Sequence, residues 1–314
     1  MNHWLHGMFT ALVTPFAGEA IDRGALAQLV RWQIDQGADG VVLGTATGEH
    51  ATLSPRERLD LLTVARAAAG PGFPIIAAVG SNDTAATLGE IRQATAAGAS
   101  ALLLRTPYYS RPSQDGFVAH ARAAASATPL EIILDNDPDR CGIEISLPAL
   151  EALGPTANIV AILERRGDIQ RCDRIARIRD RRFMRLTGAS DAIPAYLLAG
   201  GCGAVTSLGN LVPQWLARLM AAARSEFFVQ AQTLQRRLVP LNDVLSREPD
   251  PVGTKLALSL LHPQLSPACR LPLVATTPAW IEELRQAVED LPCPARGRAA
   301  AGPFLAAASR PALA

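Results

Sequence analysis

Apolar residues along this chain gather in eight short, nearly uninterrupted runs: MFTALVTP (8–15), GVVLG (40–44), PIIAAVG (74–80), ALLLRT (101–106), EIILD (131–135), IVAIL (159–163), FMRLTG (183–188) and GAVTS (203–207). They do not alternate polar with apolar. Strands buried on both faces read this way. Between the runs lie helical patterns with recognisable ends. Ser54-Pro55-Arg56-Glu57 has the form of a capping box with proline at the first helical position, and Leu59, Leu61, Leu62 and Val64 follow. That helix should stop near Gly70. Leu26, Leu29 and Val30 form a face ending at Gly37, and a third helix should run from Thr84 to Ala97, before Gly98. GADG, AGAS and GGCG each precede a strand, as glycine caps between helix and strand do.

Eight strand–helix units in this space predict an α/β fold, a (β/α)8 barrel, whose usual size is about 250 residues. An open doubly wound sheet is the alternative. It would carry a glycine-rich phosphate loop after the first strand, which TPFAGEA does not supply. The expected organisation is a barrel core over 1–210, an eighth barrel helix and C-terminal helical domain over 211–291, and a mobile tail over 292–314. Helices are expected at 212–246, 254–262 and 277–289. The tail is rich in Ala, Pro and Gly and has no sustained period.

Charge and composition narrow the picture by exclusion. The net charge of +1 over 314 residues gives no electrostatic reason to expect nucleic acid or an anionic membrane as partner. No segment approaches the roughly 20 apolar residues of a membrane span. The start, MNHWLHGMFTALV, lacks a cationic leader segment and reads as a first strand. Five scattered cysteines without a CxxC pair suggest reduced thiols in the cytoplasm. Arginine almost entirely replaces lysine: Lys255 is the only lysine. A guanidinium stays protonated and cannot form an imine.

Three stretches then acquire a common meaning. GTATGEHATLSPRER (44–58), TPYYSRPSQDG (106–116) and LDNDPDRCG (134–142) resemble, in order, the GTTGE, TPYY and YN-x-P-x-R segments of the dihydrodipicolinate synthase / N-acetylneuraminate lyase family. The similarity continues through GGCGAVTSLGN (200–210) and PDPVGTKLAL (249–258), and spans roughly residues 7–290. The resemblance implies a barrel with extra C-terminal helices, a homotetramer or homodimer, and a 2-keto acid such as pyruvate at the mouth of the barrel. It implies no cofactor and no resident metal. It also implies carbon–carbon bond chemistry through a Schiff-base lysine at the end of the sixth strand.

At that position this chain has Leu163, followed by Glu164. Leucine has no nucleophilic atom, and Arg165 and Arg166 cannot replace the amine. Lys255 matches a lysine of the family's C-terminal domain and is expected far from the mouth. The family's relay threonine is matched by Ala46, and the YN-x-P tyrosine by Asp135. Tyr109, the second tyrosine of TPYY, is retained, and the resemblance places it at a subunit interface. Thr47, Gly48 and Glu49 keep the loop whose N–H groups hold a ligand carboxylate in the family. Arg140 matches its carboxylate-binding arginine. Asp135, Gly188 and Val205 complete the expected ligand-contact set.

Asp135 reads either as a general base or as an ion-pair partner of Arg140 or Arg165. Arg140 reads as a ligand anchor or as a partner of Asp135. Asp137 and Asp139 are expected to face solvent. A divalent metal held by Glu49, His50, Asp135 and Glu164 is a further alternative, although these residues lack tight ligand spacing. The reading that follows is a family member unable to form the imine, retaining a pocket for a small carboxylate. Its rival is a lyase, aldolase or hydratase acting through Asp135 by a non-imine route.

Overall fold

The computed structural model describes residues 4–179, 182–274 and 277–291. Eight parallel strands close into a barrel: β1 Met8–Ala11, β2 Gly40–Leu43, β3 Ile75–Val79, β4 Ala101–Arg105, β5 Ile132–Asn136, β6 Ile159–Glu164, β7 Met184–Thr187 and β8 Gly203–Thr206. Each strand pairs with its sequence neighbour, and β8 closes onto β1 with Phe9 opposite Val205. The open-sheet alternative is thereby set aside. The first apolar run is shorter in the fold than in the sequence: its strand ends at Ala11, and Thr14 instead donates to the Gly48 carbonyl.

The uniform apolarity of the strands has a direct cause. Alternate residues face two separate cores. Phe9, Ala11, Val42, Ile76, Leu103, Ile133, Ala161, Leu163, Leu186 and Val205 fill the barrel interior. Met8, Val41, Ile75, Leu102, Leu104, Ile132 and Ile162 pack outward against the helices. A strand with a core on each side has no face left for polar residues.

The surrounding helices are α1 Arg23–Asp35, α2 Pro55–Ala69, α3 Thr84–Ala96, α4 Gln114–Ser126, α5 Leu147–Ala152, α6 Ile169–Ile178, α7 Ile193–Leu198 and α8 Pro213–Arg224. The capping box of α2 is present on both sides: the Ser54 backbone N–H donates to Glu57 at 2.8 Å, and the Glu57 N–H to Ser54 Oγ at 3.3 Å. Beyond the barrel lie α9 Phe228–Arg236, α10 Val239–Leu245, α11 Val252–Leu261 and α12 Pro278–Glu289. The single stretch expected over 212–246 is therefore three helices, broken around residues 225–227 and 237–238. Among the described residues no helix is long and apolar enough to cross a membrane. The tail expected at 292–314 lies outside the described residues.

Candidate functional site

The period-two alternation that divides the cores also decides which polar residues meet at the C-terminal ends of the strands. In the β5–β6 register Asp135 stands opposite Leu163, and Asn136 opposite Glu164. Leu163 belongs to the inner set and is fully buried. Asp135 shares its side of the sheet, and Arg165, one step past the strand, returns to that side. Asn136 and Glu164 point the other way.

The inward group forms a tight pair. Arg165 donates from Nε to Asp135 Oδ1 at 2.7 Å and from Nη2 to Oδ2 at 3.0 Å, a bidentate arrangement. Burial works against the guanidinium charge, but Asp135, Asp137 and Asp250 outweigh it and hold Arg165 more firmly protonated than usual. Gly188 makes the path possible, because a Cβ there would stand 2.8 Å from Arg165 Cδ. Both Asp135 oxygens are engaged, so a general-base role requires this pair to break first.

Arg140 is not the partner of Asp135. Its Nε lies 3.7 Å from Asp137, and its side chain is 51% exposed. The single helical turn Pro138–Cys141 explains the geometry. Asp137 caps it by accepting from the Arg140 N–H at 3.2 Å, which folds the two side chains onto the same turn. Asp137 therefore does not simply face solvent. It is largely buried, and burial raises its carboxyl above the ordinary value. Asp139 is the solvent-facing one, paired with Arg166.

The outward group is structural. Glu164 accepts from Arg171 Nε at 2.9 Å and from Asn136 Nδ2 at 2.9 Å, and burial raises its carboxyl against these partners. Asn136 in turn accepts from the Ile145 N–H at 2.9 Å. These contacts tie β5 and β6 to the loop before α5 and to α6.

The loop after β2 forms the opposite side of the mouth. Here the expectation for Lys255 fails. Lys255 lies on α11, yet its Nζ donates to Glu49 Oε1 at 2.5 Å and to the Ala268 carbonyl at 2.7 Å, and sits 4.1 Å over the Phe16 ring. Burial lowers its pKa, with Glu49 opposing. The amine is close to the mouth loop but enclosed and fully committed. Glu49 takes the left-handed conformation, φ +56°, and its Oε2 accepts from the Arg270 N–H at 2.8 Å. The Gly48 and Glu49 N–H groups donate within the loop, to Thr45 O at 3.1 Å and Ala46 O at 2.9 Å. Both N–H groups are thus already used within the loop.

Thr47 donates from Oγ1 to Asp250, a residue that sequence reasoning passed over. Its signal was present in the PDPVGTKLAL stretch, but nothing local says that this aspartate turns back to the barrel. Val205 lies in the inner cluster with Leu163, and Ala46 follows Thr45 at the start of the loop. Tyr109 is 89% exposed and holds φ +65°.

The four groups considered for a metal diverge. Glu49 turns to Lys255, Asp135 to Arg165 and Glu164 to Arg171, while His50 Nε2 lies 3.8 Å from Glu90. Among the described residues no three His, Cys, Asp or Glu side chains are grouped to hold an ion. The described cysteines are free, and burial lifts the Cys141 thiol beside the mouth to about 11.

Comparisons with known proteins agree on the relationship. The profile of the dihydrodipicolinate synthetase family matches residues 4–291. A 4-hydroxy-tetrahydrodipicolinate synthase of Rhizobium meliloti is 36% identical over 285 residues, spanning 90% of this chain and 97% of that protein. The protein of the same name from Acidiphilium cryptum is 34% identical over 287 residues, spanning 91% and 98%. Among solved structures, the 4-hydroxy-tetrahydrodipicolinate synthase of the methanotroph Methylacidiphilum fumariolicum SolV superposes with a TM-score of 0.89 at 32% identity, covering 91% of this chain and 95% of that one. The Acinetobacter baumannii dihydrodipicolinate synthase complexed with pyruvate gives 0.88 at 31% identity, covering 91% and 99%.

Proposed function

The chain belongs to the dihydrodipicolinate synthetase family, and from that premise we propose that it is a member without imine chemistry, a receptor for a small carboxylate at the barrel mouth. Leu163 carries the reading: a hydrocarbon, fully buried in the barrel interior, stands one residue before the end of the strand on which the resemblance places the reactive amine. Imine formation needs a neutral amine that can approach a carbonyl. The chain's one lysine, Lys255, is enclosed between Glu49 and Ala268 on the other side of the mouth. The relay positions are changed in the same sense, with Ala46 carrying no hydroxyl and Asp135 bound to Arg165. Arg140, half exposed and only loosely paired, is the carboxylate anchor in this reading. Tyr109, exposed and held in a strained backbone conformation, is the contact offered to a second copy in a homodimer or homotetramer.

The test is trapping. The full-length protein is incubated with pyruvate and borohydride and its intact mass measured. An unchanged mass is expected. A covalent adduct of pyruvyl mass would overturn the reading, and peptide mapping would show which amine had reacted.

A further inference from the structure

Asp250 reaches the mouth from the segment between α10 and α11. Thr47 and Thr254 donate to its two oxygens, the latter at 3.0 Å. Among the described residues no cationic side chain forms an ion pair with it. The positive charges that bear on it are those of Arg140 and Arg165. Arg165 is committed to Asp135 through both oxygens. Arg140 is half exposed, and its nearest carboxylate, Asp137, lies at 3.7 Å, beyond hydrogen-bond length. One mouth thus holds a carboxylate that no cation touches and a guanidinium that no carboxylate grips. Once the Asp135–Arg165 pair is set aside, two carboxylates, Asp137 and Asp250, stand with two arginines, but the Arg105 guanidinium is spent on the Gly80 carbonyl at 3.0 Å and the Gly44 carbonyl at 3.2 Å, which leaves Arg140 as the open one.

The Asp250 carboxylate, held by two hydroxyls and no cation, discriminates between small acids. A 2-keto acid brings a further negative charge and nothing to answer Asp250, and like charges brought together at a desolvated site are costly. An amino acid brings the same carboxylate with an ammonium attached to the neighbouring carbon. We propose that the mouth selects a small α-amino acid over its 2-keto counterpart, seating the ammonium on Asp250 and the carboxylate on Arg140. This rests on the reading of a non-imine carboxylate receptor and narrows it. Asp250 becomes the selectivity determinant, held in place by the Thr47 and Thr254 hydroxyls. The Asp135–Arg165 pair forms a neutral wall that leaves Arg140 free for the ligand.

The probes are L-alanine and pyruvate, which share a carbon skeleton and differ at C2. Calorimetry on the full-length protein should show L-alanine bound at least about tenfold tighter than pyruvate, a factor in the range of one charge-assisted contact. A thermal-shift screen of the proteinogenic L-amino acids then finds the preferred side chain. Asp250→Asn keeps an acceptor for one threonine, while the hydroxyl of the other can turn to accept from the new amide N–H, and it should reduce the alanine-to-pyruvate preference by about tenfold. If that variant does not fold, Arg140→Gln, at an exposed position, carries the test and should weaken alanine by about tenfold. Pyruvate binding as tightly as alanine, an unchanged preference in Asp250→Asn, or no response to any amino acid would each overturn the proposal. None of these outcomes alters the borohydride result, which decides the non-imine reading separately.

Discussion

The two sides of the barrel mouth are built on different principles. On the β2 side, the loop over residues 45–49 is gripped from outside. Lys255 and the Arg270 N–H hold Glu49, Asp250 receives Thr47, and the Arg270 side chain reaches Glu57 at 2.5 Å. Every one of those gripping residues comes from the C-terminal helical region. On the β5–β6 side the contacts are short-range across adjacent strands: Asp135 with Arg165, Asn136 with Glu164, Asp139 with Arg166. Apart from Ala46, the first side keeps the residue types that the resemblance gives it. The second has Leu163 and Asp135 where the resemblance places an amine and a phenol, and there Asp135 forms an ion pair with Arg165. A frame fixed by long-range buried contacts is costly to alter. The reacting positions at its edge can be exchanged with only local repacking.

The largest effect should come from breaking the gripped side. Lys255→Met leaves the Glu49 carboxylate buried without its cation, and urea unfolding should show a loss of about 3–5 kcal/mol. Adding Glu49→Gln should recover part of it. A neutral Lys255→Met would mean that the helical region does not hold the loop. Arg165→Ala removes the partner of the buried Asp135 and should cost less, about 2–3 kcal/mol, because that pair opens onto the mouth.

Acid should separate the two sides next. Glu57 is held at about 2, chiefly by Arg270. Burial pushes Glu90 up, but His50, the Gly80 N–H and Arg58 outweigh it, again giving about 2. Both carboxyls sit below their unfolded value, so their stabilisation is fully present above about pH 4.5 and is lost as pH falls toward 2. His50 is depressed by burial, so the unfolded chain takes up its proton first and stability also falls below pH 6.5. Asp137 and Asp250 are raised by burial and act in the opposite sense, since the folded state protonates first. Glu90→Gln should therefore flatten the acid limb of the stability curve between pH 4.5 and 2, while Asp137→Asn should leave its slope in place or steepen it.

Leu163→Lys tests how local the change is. It supplies an amine opposite Asp135 but leaves Ala46 and the Asp135–Arg165 pair, and no efficient aldol turnover with pyruvate should be measurable. Substantial turnover would show that the missing hydroxyls matter little. At the small end, Asp139→Ala should leave stability unchanged within error, because the Arg166–Asp139 pair is 55% and 64% exposed.

Much of this molecule was legible before folding was considered. All eight strands fall on the apolar runs, because a strand with a core on each face has no other composition available. The α2 cap is a four-residue signal and needs no context. The absence of an amine at Leu163 follows from a lysine count. The partners of the mouth residues were not legible. Asp135 could be assigned to Arg140 or Arg165 from spacing alone. The helical turn at Pro138–Cys141 sets Arg140 loosely beside Asp137 rather than Asp135, and the glycine at 188 opens the path for Arg165.

What the sequence determined alone was therefore composition and period: the number of strands, where they start, and which reactive groups the chain does not possess. Only the closed barrel with its packed C-terminal helices decided that Lys255 grips Glu49 across 206 positions and Asp250 meets Thr47 across 203. A periodic pattern is a property of neighbours along the chain. Charge pairing depends on distance in space, and that distance is set by how the helices dock.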